Sequence, residues 1–186
     1  MAAKQCLPSQ RGSIMRMMTG LGILTGLACI AGPAVATTTT QSNFAVSLTI
    51  AAQCVINSTA TLAFTAPGVL GGSSGTDNND ATTTIAVQCT DTTPFDIGLD
   101  AGTTSGGTTT TRKMLNTASL STATVDYKLF TDSGHTANWG NSVGTDTSSK
   151  VADGASHTYT VYGRIPPQTT PAPGTYADLV TVTVTY

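Results

Sequence analysis

The chain has 186 residues, of which 39% are hydrophobic and only 10% charged, with a formal net charge of −2. That length holds one ordinary domain, and the acidic balance argues against a nucleic-acid partner, which needs a surplus of Lys and Arg. Glutamate is absent and lysine scarce while threonine, glycine and valine abound, a composition that disfavours helices and favours strands joined by tight turns.

The N-terminal 36 residues (1–36) read as a signal peptide. Lys4, Arg11 and Arg16 form a basic start, Met17 to Ile30 is apolar, and Ala34-Val35-Ala36 is a small-x-small cleavage site before Thr37. The apolar stretch is shorter than the ~20 residues a spanning helix needs. Gly26-Leu27-Ala28-Cys29 resembles a lipidation site only weakly, since glycine stands three before the cysteine. Cleavage would remove Cys6 and Cys29 and leave five basic residues against ten aspartates, a net charge of −5. The remaining Cys54 and Cys89 are an even pair in an exported chain and are expected to form one disulfide, contributing about 4 kcal/mol through loop closure.

Residues 37–52 form an N-terminal extension. Phe44, Val46, Leu48 and Ile50 alternate with smaller or polar residues, so a strand there would carry all four on one face. Residues 53–186 form the domain proper. Cys54 to Asn57 and Thr61 to Phe64 read as two parts of an interrupted first strand, followed by a loop from Pro67 to Asp80. Thr83 to Cys89 and Phe95 to Leu99 are strands expected to pair as neighbours. Residues 101–111 are a Gly/Thr-rich, mobile connection. Arg112 to Leu115 is a short edge strand, and Val125 to Phe130 a strand with Val125, Tyr127 and Leu129 inward. Turn formers fill Asp132 to Asp153 around Trp139. His157 to Ile165 is a long strand stopped by Pro166-Pro167, and a proline-rich turn leads into Leu179 to Tyr186, where Val180, Val182, Val184 and Tyr186 share a face.

Six or seven core strands result, one fewer than a closed immunoglobulin-like sandwich requires. One alternating run lies at each end of the mature chain, one lacking a partner and the other hanging free. The fold expected is all-β, an incomplete immunoglobulin-like β-sandwich lacking its last strand, with an N-terminal donor strand. Such a domain is completed by a strand from a neighbouring copy, as in a polymer subunit rather than an enzyme. Phe44, Val46, Leu48 and Ile50 are then the donor residues, and Val180, Val182, Val184 and Tyr186 a wall of the acceptor groove.

Other chemistry is thin. His135, three residues after Asp132, belongs to a turn, whereas the members of a catalytic triad converge from separate segments. His157 opens a strand and is expected half-exposed. Asp77-Asn78-Asn79-Asp80 offers oxygen ligands but matches no calcium loop, so a solvated turn is expected. Asn57-Ser58-Thr59 is a formal sequon. Trp139 could stack on a sugar or fill a core corner, and Arg164 is expected to pair with Asp178 or another aspartate. Neither a cofactor nor a metal is expected.

The ordered segments Phe44-x-Val46-x-Leu48-x-Ile50-x-x-x-Cys54, Val87-Gln88-Cys89, Arg112-Lys113-Met114-Leu115, Val125-x-Tyr127-x-Leu129-Phe130, Trp139-Gly140, Val161-Tyr162-Gly163-Arg164-Ile165-Pro166 and Pro173-Gly174-Thr175-Tyr176-x-Asp178-x-Val180-x-Val182-x-Val184-x-Tyr186 together resemble the spore coat protein U family, which includes subunits of archaic chaperone-usher pili. The resemblance implies export to the periplasm, a periplasmic chaperone, an outer-membrane usher and identical or related pilus subunits as partners, and a final place in a cell-surface fibre supporting adhesion or biofilm formation. A self-contained secreted binding module for carbohydrate or a surface, and a spore or cyst coat protein, are the alternatives.

Overall fold

The structure is a computed structural model that describes residues 37–65, 68–118 and 120–186. The expected signal peptide, with Cys6 and Cys29, lies outside the described residues. Among the described residues there are nine strands: β1 Cys54–Thr59, β2 Asn79–Cys89, β3 Pro94–Leu99, β4 Arg112–Asn116, β5 Thr124–Phe130, β6 Ser148–Val151, β7 Ser156–Ile165, β8 Tyr176–Ala177 and β9 Val182–Thr185. All pair antiparallel. One sheet has six strands in the order β1-β2-β7-β5-β4-β8, the other three in the order β6-β3-β9.

Alternation along each strand explains the core. Ile85, Val87 and Cys89 of β2, Phe95, Ile97 and Leu99 of β3, Val125, Tyr127 and Leu129 of β5, and Val161 and Ile165 of β7 are buried together between the two sheets. Within each set the residues lie two apart, or four apart in β7 where Gly163 stands between, as a pleated strand with one inward face demands. The protein is therefore all-β, a two-layer immunoglobulin-like sandwich. Cys54 and Cys89 face each other in the β1–β2 register and are disulfide-bonded.

The pairing of β2 with β3 is corrected. β2 runs between β1 and β7, while β3 runs between β6 and β9. The chain crosses from one sheet to the other through Thr90 to Thr93, where Thr92 takes a positive φ of 60°. Reciprocal backbone bonds of Thr92 and Thr93 with Ala152 fix that crossing. Alternation reveals which face a strand buries but not which strand lies beside it.

Four smaller differences concern single elements. Residues 44–50 carry no strand, and Phe44, Val46, Leu48 and Ile50 are 88%, 84%, 85% and 73% exposed. Thr61 to Phe64 is extended chain without a ladder, although Leu62 and Phe64 pack on the core over Gly163. The terminal strand expected from Leu179 to Tyr186 is shorter, β9 beginning only at Val182, while Thr181 bonds both the backbone and the side chain of Asp100, and the two-residue β8 lies before the expected run. Within the turn-rich stretch before His157, the short strand β6 forms on the free side of β3.

Candidate strand-acceptor cleft

Among the described strands, β1 has a partner only in β2, and β9 only in β3. Between their unpaired edges lies a cleft of about 590 Å³. Ile56, Leu62 and Phe64 line one side and Tyr176, Val180 and Val182 the other, with Ile85, Leu99, Tyr127 and Val161 along the floor. Two rows of unpaired backbone groups flanking an apolar floor are what an inserted strand needs, since the edges supply ladder bonds and the floor takes every second side chain.

Of the four expected wall residues, Val180 and Val182 line this cleft. Val184 is half-buried against the same core, opposite Ile97, and Tyr186 is 60% exposed. The expected wall thus covers only one flank. Leu62 and Phe64 on the other were missed as site residues, although their i, i+2 spacing after β1 is a readable signal.

The β9 flank is positioned by polar groups. Asp100 Oδ1 accepts from Thr181 N at 2.9 Å, while Asp100 N donates to Thr181 O at 3.1 Å. Asp178 Oδ1 accepts from the amides of Thr103 and Thr104 at 2.9 and 3.0 Å, and Tyr127 Oη donates to Asp178 Oδ2 at 2.7 Å. Burial, reinforced by that carboxylate, pushes the Tyr127 phenol far above its ordinary pKa, so it remains a donor. Gly102, at φ +82°, packs so tightly on Asp178 that any Cβ would collide with the carboxylate. The Gly/Thr-rich connection after β3 is therefore tethered to the cleft wall at its first turn.

Behind this wall lies Arg112, with 0% exposure. Its Nε donates to Asp100 O at 2.7 Å, Nη1 to Thr109 O at 2.8 Å, and Nη2 to Leu99 O and Trp139 O, both at 2.8 Å. Burial lowers the guanidinium pKa, and neighbouring Tyr127 and Asp100 oppose that shift. The sequence places Arg112 on an edge strand beside Lys113 and gives no sign that one cation is buried and the other reaches out to Asp126.

The remaining candidates lie outside this cleft. Asp132 is occupied by the amides of Thr136 and Ala137, and His135 Nε2 lies 3.8 Å from Asp80 rather than beside Asp132. His157 is exposed and pairs with Asp153 at 2.8 Å. Arg164 finds Asp80, donating to both its oxygens at 2.7 and 2.6 Å, so Asp80 is already engaged, and Asn79 donates to Thr65 O at 2.6 Å. Trp139 is 1% exposed and its Nε1 donates to Ile97 O at 2.7 Å, which makes it a core corner and not a sugar platform. Asn57 Nδ2 donates to Ser156 Oγ at 2.8 Å.

Several aspartates tie strands together and titrate low. The Arg164 bond holds Asp80 below the usual carboxylate range, and bonds from Ser149 and Thr147 do so for Asp96. Burial pushes Asp100 up, but bonds from Thr181 and Gly102 and the charge of Arg112 outweigh it. A carboxyl whose folded pKa is depressed stabilises the fold above its unfolded value and loses that contribution as pH falls through the folded one. The urea midpoint is therefore expected to hold between pH 7 and 5 and to drop below about pH 4. A midpoint flat to pH 2.5 would contradict these assignments.

An incomplete antiparallel sandwich with an open, apolar, strand-wide slot is the class that this geometry defines. The chain belongs to the Spore Coat Protein U domain family, whose sequence profile matches residues 40–183. A solved structure with the same fold is the chaperone–tip adhesion subunit pre-assembly complex from the archaic chaperone-usher Csu pili of Acinetobacter baumannii, at a TM-score of 0.51 and 22% identity. The match covers 74% of this chain and 40% of that one, so this chain spans well under half the length of its structural neighbour. No curated protein matches the sequence.

Proposed function

We propose that this chain is a structural subunit of a pilus or surface fibre assembled by the chaperone-usher route through donor-strand exchange. The observation that carries the proposal is the pairing of an open apolar cleft between two unpaired strand edges with an exposed segment of matching period in the same chain. Phe44, Val46, Leu48 and Ile50 act as the donor face. Val180 and Val182 form the wall they meet, and Val184 and Tyr186 extend it. The family match and the pilus-subunit likeness support this reading.

An open cleft exposes apolar surface and free edges, which invite aggregation. A periplasmic chaperone lending a strand removes that hazard in transit, and replacement of its strand by a neighbour's extension at the outer-membrane usher needs only a lower final free energy. Repeated head to tail, the contact is heterologous and open, so it builds a filament on the cell surface rather than a ring. A fibre of this kind supports adhesion or biofilm formation. The test is assembly by chains charged on the donor face, scored as SDS-resistant ladders that heat dissociates.

A further inference from the structure

Resting on that reading, the cleft's final occupant is either the chain's own extension or that of a second copy. Self-closure is within reach. Were the chain to reverse at Ala51-Ala52-Gln53, Ile50 would stand beside Cys54 and Leu48 beside Ile56, along the edge of β1 that borders the cleft. Residues directly opposite in an antiparallel pair share a face. Leu48 would then point as Ile56 does, into the cleft.

What opposes this lies at the tripeptide itself. Gln53 N donates to Thr90 Oγ1 at 3.1 Å, and Thr90 N donates to Gln53 O at 2.9 Å. The Thr90 hydroxyl lies 3.2 Å from Ala51 O and 3.3 Å from Gln53 O, to either of which it can donate. These bonds continue the β1–β2 ladder past the Cys54–Cys89 disulfide and engage the backbone groups that a hairpin would have to redirect. The tripeptide also lacks the Gly, Asn, Asp or Pro that a tight reversal favours. We propose that Thr90 is a positioning residue that holds Ala51 to Gln53 extended, prevents the donor segment from folding into its own cleft and so commits it to a second copy of this chain.

The full chain is compared with Thr90→Val, which keeps the shape and removes the hydroxyl, with Thr90→Ser, which keeps the hydroxyl, and with Ala52→Asn/Gln53→Gly, which installs a hairpin turn. Unheated gels and size-exclusion chromatography measure ladder against folded monomer. The wild type and Thr90→Ser are expected to form ladders alike. Thr90→Val should shift the balance about tenfold toward a monomer, the change that removing one or two modest hydrogen bonds produces, and the turn variant further. Adding Leu48→Asp to the turn variant should lower the melting temperature of that monomer, because its own extension fills the cleft. Ladders from Thr90→Val and the turn variant equal to the wild type's overturn the role of Thr90 while leaving donor exchange intact. No ladder from any chain, with Leu48→Asp without effect on melting, overturns the reading on which it rests. If Thr90→Val fails to fold, Thr90→Ala, which also removes the hydroxyl, is read in the same way, and ladders equal to the wild type's overturn the role of Thr90.

Discussion

A chain carrying Val46→Asp together with Leu48→Asp is expected to fold and yet give no SDS-resistant ladder, where the unaltered chain gives one. Its folding is unaffected because both positions are more than four-fifths exposed and outside every strand. Its assembly fails for two additive reasons. Burial of Phe44, Val46, Leu48 and Ile50 supplies roughly 6 to 12 kcal/mol as an upper value, and the two substitutions remove about half of it. Each aspartate must also enter an apolar floor lined by Ile85, Leu99 and Val161, which costs several kcal/mol more for an unpaired charge. At about 1.4 kcal/mol per tenfold, assembly should weaken by at least ~10³-fold. Chemical denaturation of the monomeric fraction checks the folding, and unheated gels check the assembly. Ladders of normal length from the doubly charged chain would sink the donor assignment.

Arg112→Ala is expected to have the largest effect on the fold itself, about 3 to 5 kcal/mol, comparable to breaking a buried, hydrogen-bonded charge site. Four carbonyls, of Leu99, Asp100, Thr109 and Trp139, lose their donors at once, the bonds to Leu99 and Trp139 being buried and the other two part-buried. Domains of this size are stable by only about 5 to 15 kcal/mol, so the variant should be recovered poorly and unfold at a much lower urea concentration. Arg112→Lys should fall between, since one ammonium with three hydrogens cannot span four acceptors arranged around a planar fork. Because Asp100 also holds Thr181, both variants should loosen the β9 flank of the cleft. A loss below 1 kcal/mol for Arg112→Ala would show that the guanidinium is dispensable.

Much of this architecture is legible in the residues because a sandwich strand buries one face, and burying one face writes a period of two. Val125, Tyr127 and Leu129 point inward as their spacing requires, and Cys54 meets Cys89. Pairing was not legible. Thr83 to Cys89 and Phe95 to Leu99 are close in sequence and equally apolar, yet a crossing of a few residues puts them in opposite layers. The terminal run reads as one strand because its alternation is unbroken, whereas Asp100 and Asp178 capture residues 178–181 by side-chain bonds that no periodicity records. Arg112 is the sharpest case. Its four partners are backbone carbonyls, which carry no sequence signature, so a lone arginine beside a lysine reads as surface.

For the cleft, a period of two speaks to one flank only. Val180 and Val182 could be placed on the cleft wall from their spacing, but the opposing flank is made by Leu62 and Phe64, which lie in extended chain with no ladder to announce it. The stripe of Phe44, Val46, Leu48 and Ile50 could be read from its period, and its exposure in the single chain has a simple physical cause: an extended segment without a partner has no ladder to join.

The most direct measurement is the structure of the assembled material at a resolution that traces side chains. The account predicts a strand of residues 44–50 from an adjacent copy, seated between β1 and β9 with Phe44, Val46, Leu48 and Ile50 facing the core. A cleft left open, or closed by the same chain's own extension, would contradict it.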